Sequence, residues 1–117
     1  MDGNAGMMTL TKTLFGKEIG CCVTRLDEGI HVLLVGGDKS HIGAISIAQA
    51  DGTVETKVFP GHKEQFISEP WAKQLAQTLG EPATVVCGIH YDHATGEQIQ
   101  EILRLTDAFL NRIIEEV

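Results

Sequence analysis

The chain has 117 residues, of which 43% are hydrophobic and 21% are charged, as is typical of one globular domain and not of a disordered chain. Its formal net charge of −7 argues against nucleic-acid binding and binding to anionic membranes, because neither surface would attract it. The sequence contains no apolar run long enough to predict a transmembrane helix, and its N-terminus lacks the basic and apolar segments of a secretory signal.

The cysteine count points to a reducing compartment. The sequence has three cysteines, an odd number, and no CxxC spacing, which indicates free thiols and not a disulfide or zinc framework. We therefore predict a cytoplasmic protein. Residues 1–8 begin with small and polar residues and are predicted to form a disordered lead-in, and residues 9–117 are predicted to form a single domain.

The first half of the chain predicts five strands. Runs of β-favouring residues are separated by glycine-containing turn signals, of which Asp27-Glu28-Gly29 and Asp51-Gly52 are hairpin signals. The predicted strands cover residues 9–15, 19–26, 30–35, 41–48 and 53–59. In the fourth strand, one face carries Ile45 and Ile47. The other face carries small residues, which leaves room for a helix, a ligand or a second subunit.

The second half of the chain predicts a helix, a strand and a second helix. Apolar residues recur at about four-residue spacing between Glu64 and Leu79, which predicts a helix with one buried stripe. Pro70 interrupts this run, and an alternative start has Ser68 as the N-cap with Pro70 in the first turn. Gly80 is predicted as the C-cap. Residues 83–89 form a valine-rich strand, and Thr95 with Gln98 forms the capping box of the last helix.

This order of elements predicts an α+β fold. We expect a largely antiparallel five- to six-stranded sheet, mostly a meander, with two C-terminal helices packed on one face. The strand before Gly61 and the strand before His90 are joined through a helix, so they should run parallel through one βαβ crossover. Because two helices cover only one face of such a sheet, we expect the other face to have a partner and predict a homodimer or a higher homo-oligomer.

Strand direction places three polar loops at one edge of the predicted sheet. If residues 30–35 run upward, the loops that begin at residues 38, 60 and 90 all lie at the top. Imidazoles with carboxylates suit a divalent metal, and lysines beside a glycine-led helix start suit a phosphate. The alternative is that these loops are polar only because loops usually are. The ionisable residues gathered at this edge are Asp38, Lys39, His41, His62, Lys63, Glu64, His90, Asp92 and His93.

Three segments of the chain resemble the motifs of the LpdD-like family, which is associated with gallate-type decarboxylases of the UbiD class. They are Gly36-Gly37 to His41-Ile42-Gly43-Ala44, then Pro60-Gly61-His62-Lys63-Glu64, then Gly88-Ile89-His90-Tyr91-Asp92. The segments occur in the family's order, and the resemblance extends from about Thr9 to the C-terminus. The family is regarded as a chaperone that binds prenylated FMN and helps deliver it to the decarboxylase.

The resemblance implies a binder of reduced prenylated FMN and not a catalyst, with a UbiD-type decarboxylase and a flavin prenyltransferase as partners. It implies that His41, His62 and His90 contact the cofactor or a divalent metal ion. It also implies that Gly61, Lys63 and Glu64 surround the phosphate-and-metal region. Lys39 and Asp92 join the predicted cofactor-binding residues from their place at the same edge.

Two rival functions use the same edge. One is a small metal-dependent lyase or hydrolase, with the three histidines as ligands and Glu64 or Asp92 as general base. The other is a structural subunit of a larger enzyme, in which the polar edge serves only for docking. Neither rival requires a flavin.

Overall fold

The computed structural model describes residues 6–61 and 64–117 of the chain. Six strands and two helices follow one another in the order expected from the sequence. The strands are β1 (Gly6–Leu14), β2 (Lys17–Arg25), β3 (Ile30–Gly37), β4 (Ala44–Ala48), β5 (Val54–Val58) and β6 (Ala83–His90). The helices are α1 (Gln65–Leu79), between β5 and β6, and α2 (Gly96–Glu116), after β6.

The six strands form one mixed sheet in the order β1-β2-β3-β6-β4-β5. All neighbouring pairs are antiparallel except β3 and β6, which are parallel. The α+β prediction with one parallel crossover is therefore confirmed. The expected meander is divided, however, because β6 inserts between β3 and β4. Strands β5 and β6 run in the same direction, as predicted, but β4 lies between them.

One face of the sheet, which we call the covered face, packs against both helices. Helix α1 contacts β4, β5 and β6, and its Trp71 and Leu75 are buried. The covered side of β2 and β3 is also buried. Helix α2, which has its own stripe of buried residues, is the remaining element that can shield these strands. A single cluster unites this core; it includes Ile19, Cys21, Val23, Val32, Leu34, Val85, Cys87, Phe109, Leu110 and Ile113.

The small-residue face of β4 lies against helix α1. Ser46 Oγ is within hydrogen-bond distance of Ser68 Oγ (2.8 Å) and of Thr56 Oγ1 (2.7 Å), so buried hydroxyls join β4, β5 and α1. Because Ala44, Ser46 and Ala48 are small, the helix can approach the strand closely. Of the three occupants that the sequence left open for this face, the structure shows the helix.

Several predicted boundaries need correction. Strand β1 begins at Gly6, so residues 6–8 belong to the strand and not to the predicted lead-in. Strand β4 begins at Ala44 and not at His41. Helix α1 starts at Gln65 and continues through Pro70, so the alternative start with Ser68 as N-cap is wrong. The Gly80 cap and the capping box of α2 are confirmed.

Neither helix has the length and apolar character that a membrane-spanning helix needs, within residues 6–61 and 64–117. Helix α2 is long enough at 21 residues, but it is amphipathic.

Candidate functional site

The loops after β3, β5 and β6 meet at one edge of the sheet, as strand direction predicted. We call this region the loop edge; its described residues are 38–43, 59–61, 64 and 90–95. The amide of Asp38 donates to the His90 carbonyl (2.6 Å), and the amide of Phe59 donates to the Gly43 carbonyl (2.9 Å). Backbone hydrogen bonds therefore hold the three loops together before any side chain contributes.

His41 and Glu64 form a pair at the centre of the loop edge. His41 Nε2 lies 2.7 Å from Glu64 Oε1, and the side chains are only 10% and 9% exposed. His41 Nδ1 also lies 3.1 Å from the Lys39 carbonyl oxygen. Both neighbours of the ring are hydrogen-bond acceptors. The pair thus places an imidazole ring in contact with a carboxylate, both largely shielded from solvent, at the start of helix α1.

His90 and Asp92 form a second, more exposed pair. His90 Nε2 lies 2.8 Å from Asp92 Oδ1, and the Asp92 amide donates to Asp38 Oδ2 at 2.8 Å. The rings of His41 and His90 meet edge to face with centroids 6.5 Å apart. The second pair therefore lies next to the first, and the Asp38 carboxylate holds the loop after β6 in place.

Three glycines allow the loops to approach this closely. A methyl group at Gly88 would overlap the His41 carbonyl oxygen, and one at Gly37 would overlap the His90 carbonyl oxygen. A methyl group at Gly43 would overlap the Glu64 carboxylate. The Gly43 amide donates to the Cys87 carbonyl at 3.0 Å, and the His41 carbonyl occupies the space of a side chain at Gly88, so residues 41–43 pack closely against β6 before strand β4 begins.

An apolar cleft of about 510 Å³ opens next to the two pairs. It lies between the start of α1, the end of β6 and the first turns of α2. Its volume falls within the range of about 300–1,000 Å³ that small-molecule and cofactor sites occupy. Its lining residues are Gly61, Glu64, Phe66, Ile67, Ile89, His90, Tyr91, Ala94, Ile99, Ile102 and Leu103.

Tyr91 joins the cleft to the turn between β1 and β2. Its hydroxyl donates to the Leu14 carbonyl at 2.8 Å, and its ring meets Phe15 edge to face at 5.9 Å. Burial raises the pKa of the Tyr91 phenol, and the nearby Asp38 carboxylate raises it further. The phenol is thus retained as a neutral donor that fixes one wall of the cleft.

The structure brings together most, but not all, of the predicted site residues. His41, Glu64, His90 and Asp92 meet at the loop edge, and Gly61 lines the cleft. Lys39 takes part through its carbonyl oxygen, since that atom is the contact to His41. His62 and Lys63 lie outside the described residues.

The described donor atoms do not fit a metal site. Residues 6–61 and 64–117 contain no group of three His, Cys, Asp or Glu side chains arranged to hold an ion. His41 and His90 each face a carboxylate instead of converging on one point. The predicted set of His41, His62 and His90 includes one residue outside the described part of the chain.

The apolar cleft is the part of the site that the sequence analysis missed. Ile99, Ile102 and Leu103 recur at the spacing of a buried helical stripe, but Ile99 is 46% exposed. Phe66, in the first turn of α1, is 72% exposed. The sequence carried one signal for this cleft. The apolar residues of α2 extend to its first turns, directly after the polar loop that follows β6.

The fold and the cleft define a small α+β domain with an apolar pocket bordered by paired ionisable side chains. A family model described as the prenylated flavin chaperone LpdD-like domain matches residues 14–117. Protein LpdD of Lactiplantibacillus plantarum is 30% identical over 113 residues, which covers 92% of this chain and 83% of that protein. The chain therefore belongs to the LpdD-like prenylated flavin chaperone family.

A solved structure shares the fold. It is a chain from the crystal structure of a chaperone complex for yeast 20S proteasome assembly, with a TM-score of 0.58 over 94% of this chain and 97% of that chain. The two sequences are 15% identical, so the similarity concerns the fold alone.

Proposed function

We propose that this protein binds reduced prenylated FMN in the cleft at the loop edge and delivers it to a UbiD-type decarboxylase. The observation that carries the proposal is the apolar cleft of about 510 Å³ directly beside the His41–Glu64 pair. An apolar wall suits the ring system of a flavin, and the lysine and histidine side chains of the loop edge, as distinct from its carboxylates, suit its phosphate-bearing side chain. Membership of a prenylated flavin chaperone family supports this assignment.

In this proposal different residues of the site contact the ring system and the phosphate of the flavin. Ile67, Ile102 and Leu103 exclude water from the ring system. His41 lies 2.7 Å from the Glu64 carboxylate and engages it, whereas a carboxylate without this contact would oppose an anion at the start of α1. Gly61, His62 and Lys63 are proposed to contact the phosphate, as the resemblance implies. The flavin is cargo, so no catalytic residue is assigned.

The metal ion remains a separate part of the proposal. The described residues do not fit an ion by themselves, and the predicted ligand set depends on His62. Comparing flavin retention in the presence of a divalent metal and in the presence of a chelator would test this part. Equal retention would remove the metal from the proposal without affecting the flavin.

The partner enzymes and the cellular compartment are also part of the proposal. A flavin prenyltransferase would supply the prenylated flavin, and a UbiD-type decarboxylase would accept it. The cytoplasmic location is supported by the cysteines, since Cys21, Cys22 and Cys87 are free.

The direct test mixes purified protein with reduced prenylated FMN under anaerobic conditions and measures flavin absorbance in the protein peak of a sizing column. We expect the wild type to retain the flavin, and His62→Ala to lose it while its circular dichroism remains unchanged. Absence of retention, with and without metal, would contradict the proposal.

The cleft itself is tested by a matched pair of substitutions. Ile99 lines the cleft and is 46% exposed, whereas Leu26 lies outside the cleft and is 48% exposed. We expect Ile99→Glu to weaken flavin retention by roughly tenfold or more, because a bound ring would desolvate the introduced carboxylate. Leu26→Glu should retain flavin like the wild type. Equal retention by both variants would place the flavin elsewhere.

Pull-down of the decarboxylase, metal analysis and an activity assay, run beside the flavin measurement, separate the two rival functions. A structural subunit would lose decarboxylase pull-down in variants of the loop edge without any change in flavin content. A metal-dependent enzyme would bind metal stoichiometrically and turn over a carboxylic acid without any partner.

A further inference from the structure

The face of the sheet opposite the two helices, which we call the open face, is apolar at its centre. Register and alternation place Leu33 and Val35 of β3, Val86 of β6, and Ile45 and Ile47 of β4 on this side. Ile47 is 51% exposed, and the other four are partly exposed. Neither described helix packs here, since both contribute to the core on the covered face.

We propose that the open face is the interface between two copies of this chain, packed sheet against sheet. The proposal goes beyond flavin binding and does not depend on it, because the cleft lies at the loop edge between the helices and the end of β6.

The arrangement of the open face is complementary to itself. Strands β3 and β6 are the two central strands of six, and β2 and β4 flank them. Consider two stacked sheets related by a two-fold axis that lies between them, parallel to both, and passes through their common centre. Such an axis places central strands on central strands, whichever in-plane direction it takes. The apolar centre of one copy would then meet the apolar centre of the other, and the polar outer strands would form the rim.

The charge of the open face also favours a second copy. The charged side chains that register places there are Lys57, Glu18 and Glu55, with a formal sum of −1. The whole chain carries −7, so most of its negative charge lies elsewhere. Two acidic copies can therefore stack these faces without strong repulsion, whereas the face offers little attraction to a strongly charged partner.

The area of the face is sufficient for a stable dimer. Six strands about 4.8 Å apart and about 24 Å long on average present a flat area of roughly 700 Å². Side-chain relief raises the accessible area above the flat value, toward the ~800 Å² per partner that specific interfaces bury. Stacked sheets also bury their inner faces at a separation of about 10 Å, which side chains of this size fill.

The first test is the mass of the wild-type protein by sedimentation equilibrium over a concentration series. We expect twice the monomer mass of 12.7 kDa. Ile47→Glu and Ile45→Glu should sediment as monomers, because a dimer would bury the new carboxylate against apolar side chains. Leu26→Glu is the matched control, since Leu26 is 48% exposed but lies in the β2–β3 turn, and it should remain a dimer.

A second test needs no variant. Cys22 lies on the open face beside Leu33 and is exposed, whereas Cys21 and Cys87 are buried. Labelling of Cys22 by iodoacetamide, followed by intact mass, should slow by about tenfold or more as the concentration rises from well below to about fifty times the dimer dissociation constant. This test decides the proposal even if a glutamate variant does not fold.

Three results would overturn the proposal. A wild-type mass of 12.7 kDa with Cys22 labelled equally at all concentrations would mean that the face is open or serves another partner. A dimer that persists in both glutamate variants would use another surface. A dimer whose Cys22 reacts as fast as in the monomer would also use another surface. Flavin retention is measured separately, so its failure leaves this test unaffected.

Discussion

At the scale of single residues, the site depends on a position that has no side chain. Gly88 has no side chain, and this allows the backbone at His41 to cross over β6. The crossing brings the imidazole to Glu64, at the start of α1. An ionisable pair that is nearly buried thus depends on the missing side chain of Gly88.

Gly88→Ala should destabilise the protein strongly. The added methyl group would overlap the His41 carbonyl oxygen, a backbone atom that cannot rotate away. We expect a loss of at least about 2 kcal/mol in the free energy of unfolding, measured by urea denaturation at a fixed protein concentration.

Gly20→Ala is the matched control for this substitution. Gly20 is also a strand glycine, but a methyl group there would have its nearest neighbour, Thr11 Cγ2, at 3.9 Å. Its effect should remain within about 1 kcal/mol of wild type, since alanine also restricts the unfolded chain. Equal stability of the two variants would show that residues 41–43 do not lie over β6.

The ionisable part of the site could be predicted from the sequence, but the cleft could not. Strand direction alone brought His41, Glu64 and His90 to one edge, because direction tolerates errors of a residue or two at strand ends. The cleft depends on how the first turns of α2 sit against α1 and β6. That placement is decided by packing over long distances in sequence, and Ile99 or Leu103 would give the same helical pattern in a fully buried stripe.

At the scale of elements, the same contrast is seen in the sheet. The strands and hairpins followed from local alternation and turn residues, because these act within a few positions. The insertion of β6 between β3 and β4 could not be predicted, since the parallel β3–β6 pairing joins residues about 50 positions apart. Pro70 suggested a later helix start, but α1 continues through it, and Ser68 within this helix lies within hydrogen-bond distance of Ser46 on β4.

Arg25 and Glu81 join two turns at the end of the sheet opposite the loop edge. Glu81 Oε1 accepts from Arg25 Nη1 at 2.6 Å and from the Gly29 amide at 2.8 Å. These hydrogen bonds, first that from Arg25 and then that from Gly29, lower the pKa of Glu81 from its ordinary value of 4.5. The carboxylate therefore fastens the β2–β3 turn to the α1–β6 loop.

Glu81→Gln should change how stability depends on acid pH. A lowered pKa in the folded state adds stability above pH 4.5, which is lost as the pH falls through the lower folded value. We expect the variant to be less stable than wild type at pH 7, and the difference to shrink as the pH falls below 4.5. Urea midpoints from pH 7 to pH 3 measure this.

Glu116→Gln serves as the control for this comparison. Glu116 pairs with Arg112 at 3.2 Å on the exposed surface of α2, and such pairs contribute little to stability. A constant difference between Glu81→Gln and wild type at all pH values would mean that the carboxylate charge does not act through Arg25.

At the scale of the whole molecule, the sheet separates two environments, and adjacent cysteines report on them. Cys21 lies in the core on the covered face, whereas Cys22 lies on the open face. Burial raises the pKa of the Cys21 thiol to about 12, with a smaller effect from Cys22. Burial likewise raises the pKa of the Cys87 thiol, and the Glu64 charge raises it further.

These buried thiols predict a loss of stability at alkaline pH. Above the ordinary thiol value of 9.0 the unfolded chain ionises while the folded chain does not, so stability is complete below pH 9 and falls as the pH rises toward the folded values. Each buried thiol contributes up to ~1.4 kcal/mol per pH unit. Cys21→Ala should therefore reduce the alkaline slope of the free energy of unfolding by about this amount. Urea midpoints between pH 8 and pH 11 at one protein concentration measure the slope, and a slope equal to that of wild type would mean that the covered face is not sealed from solvent.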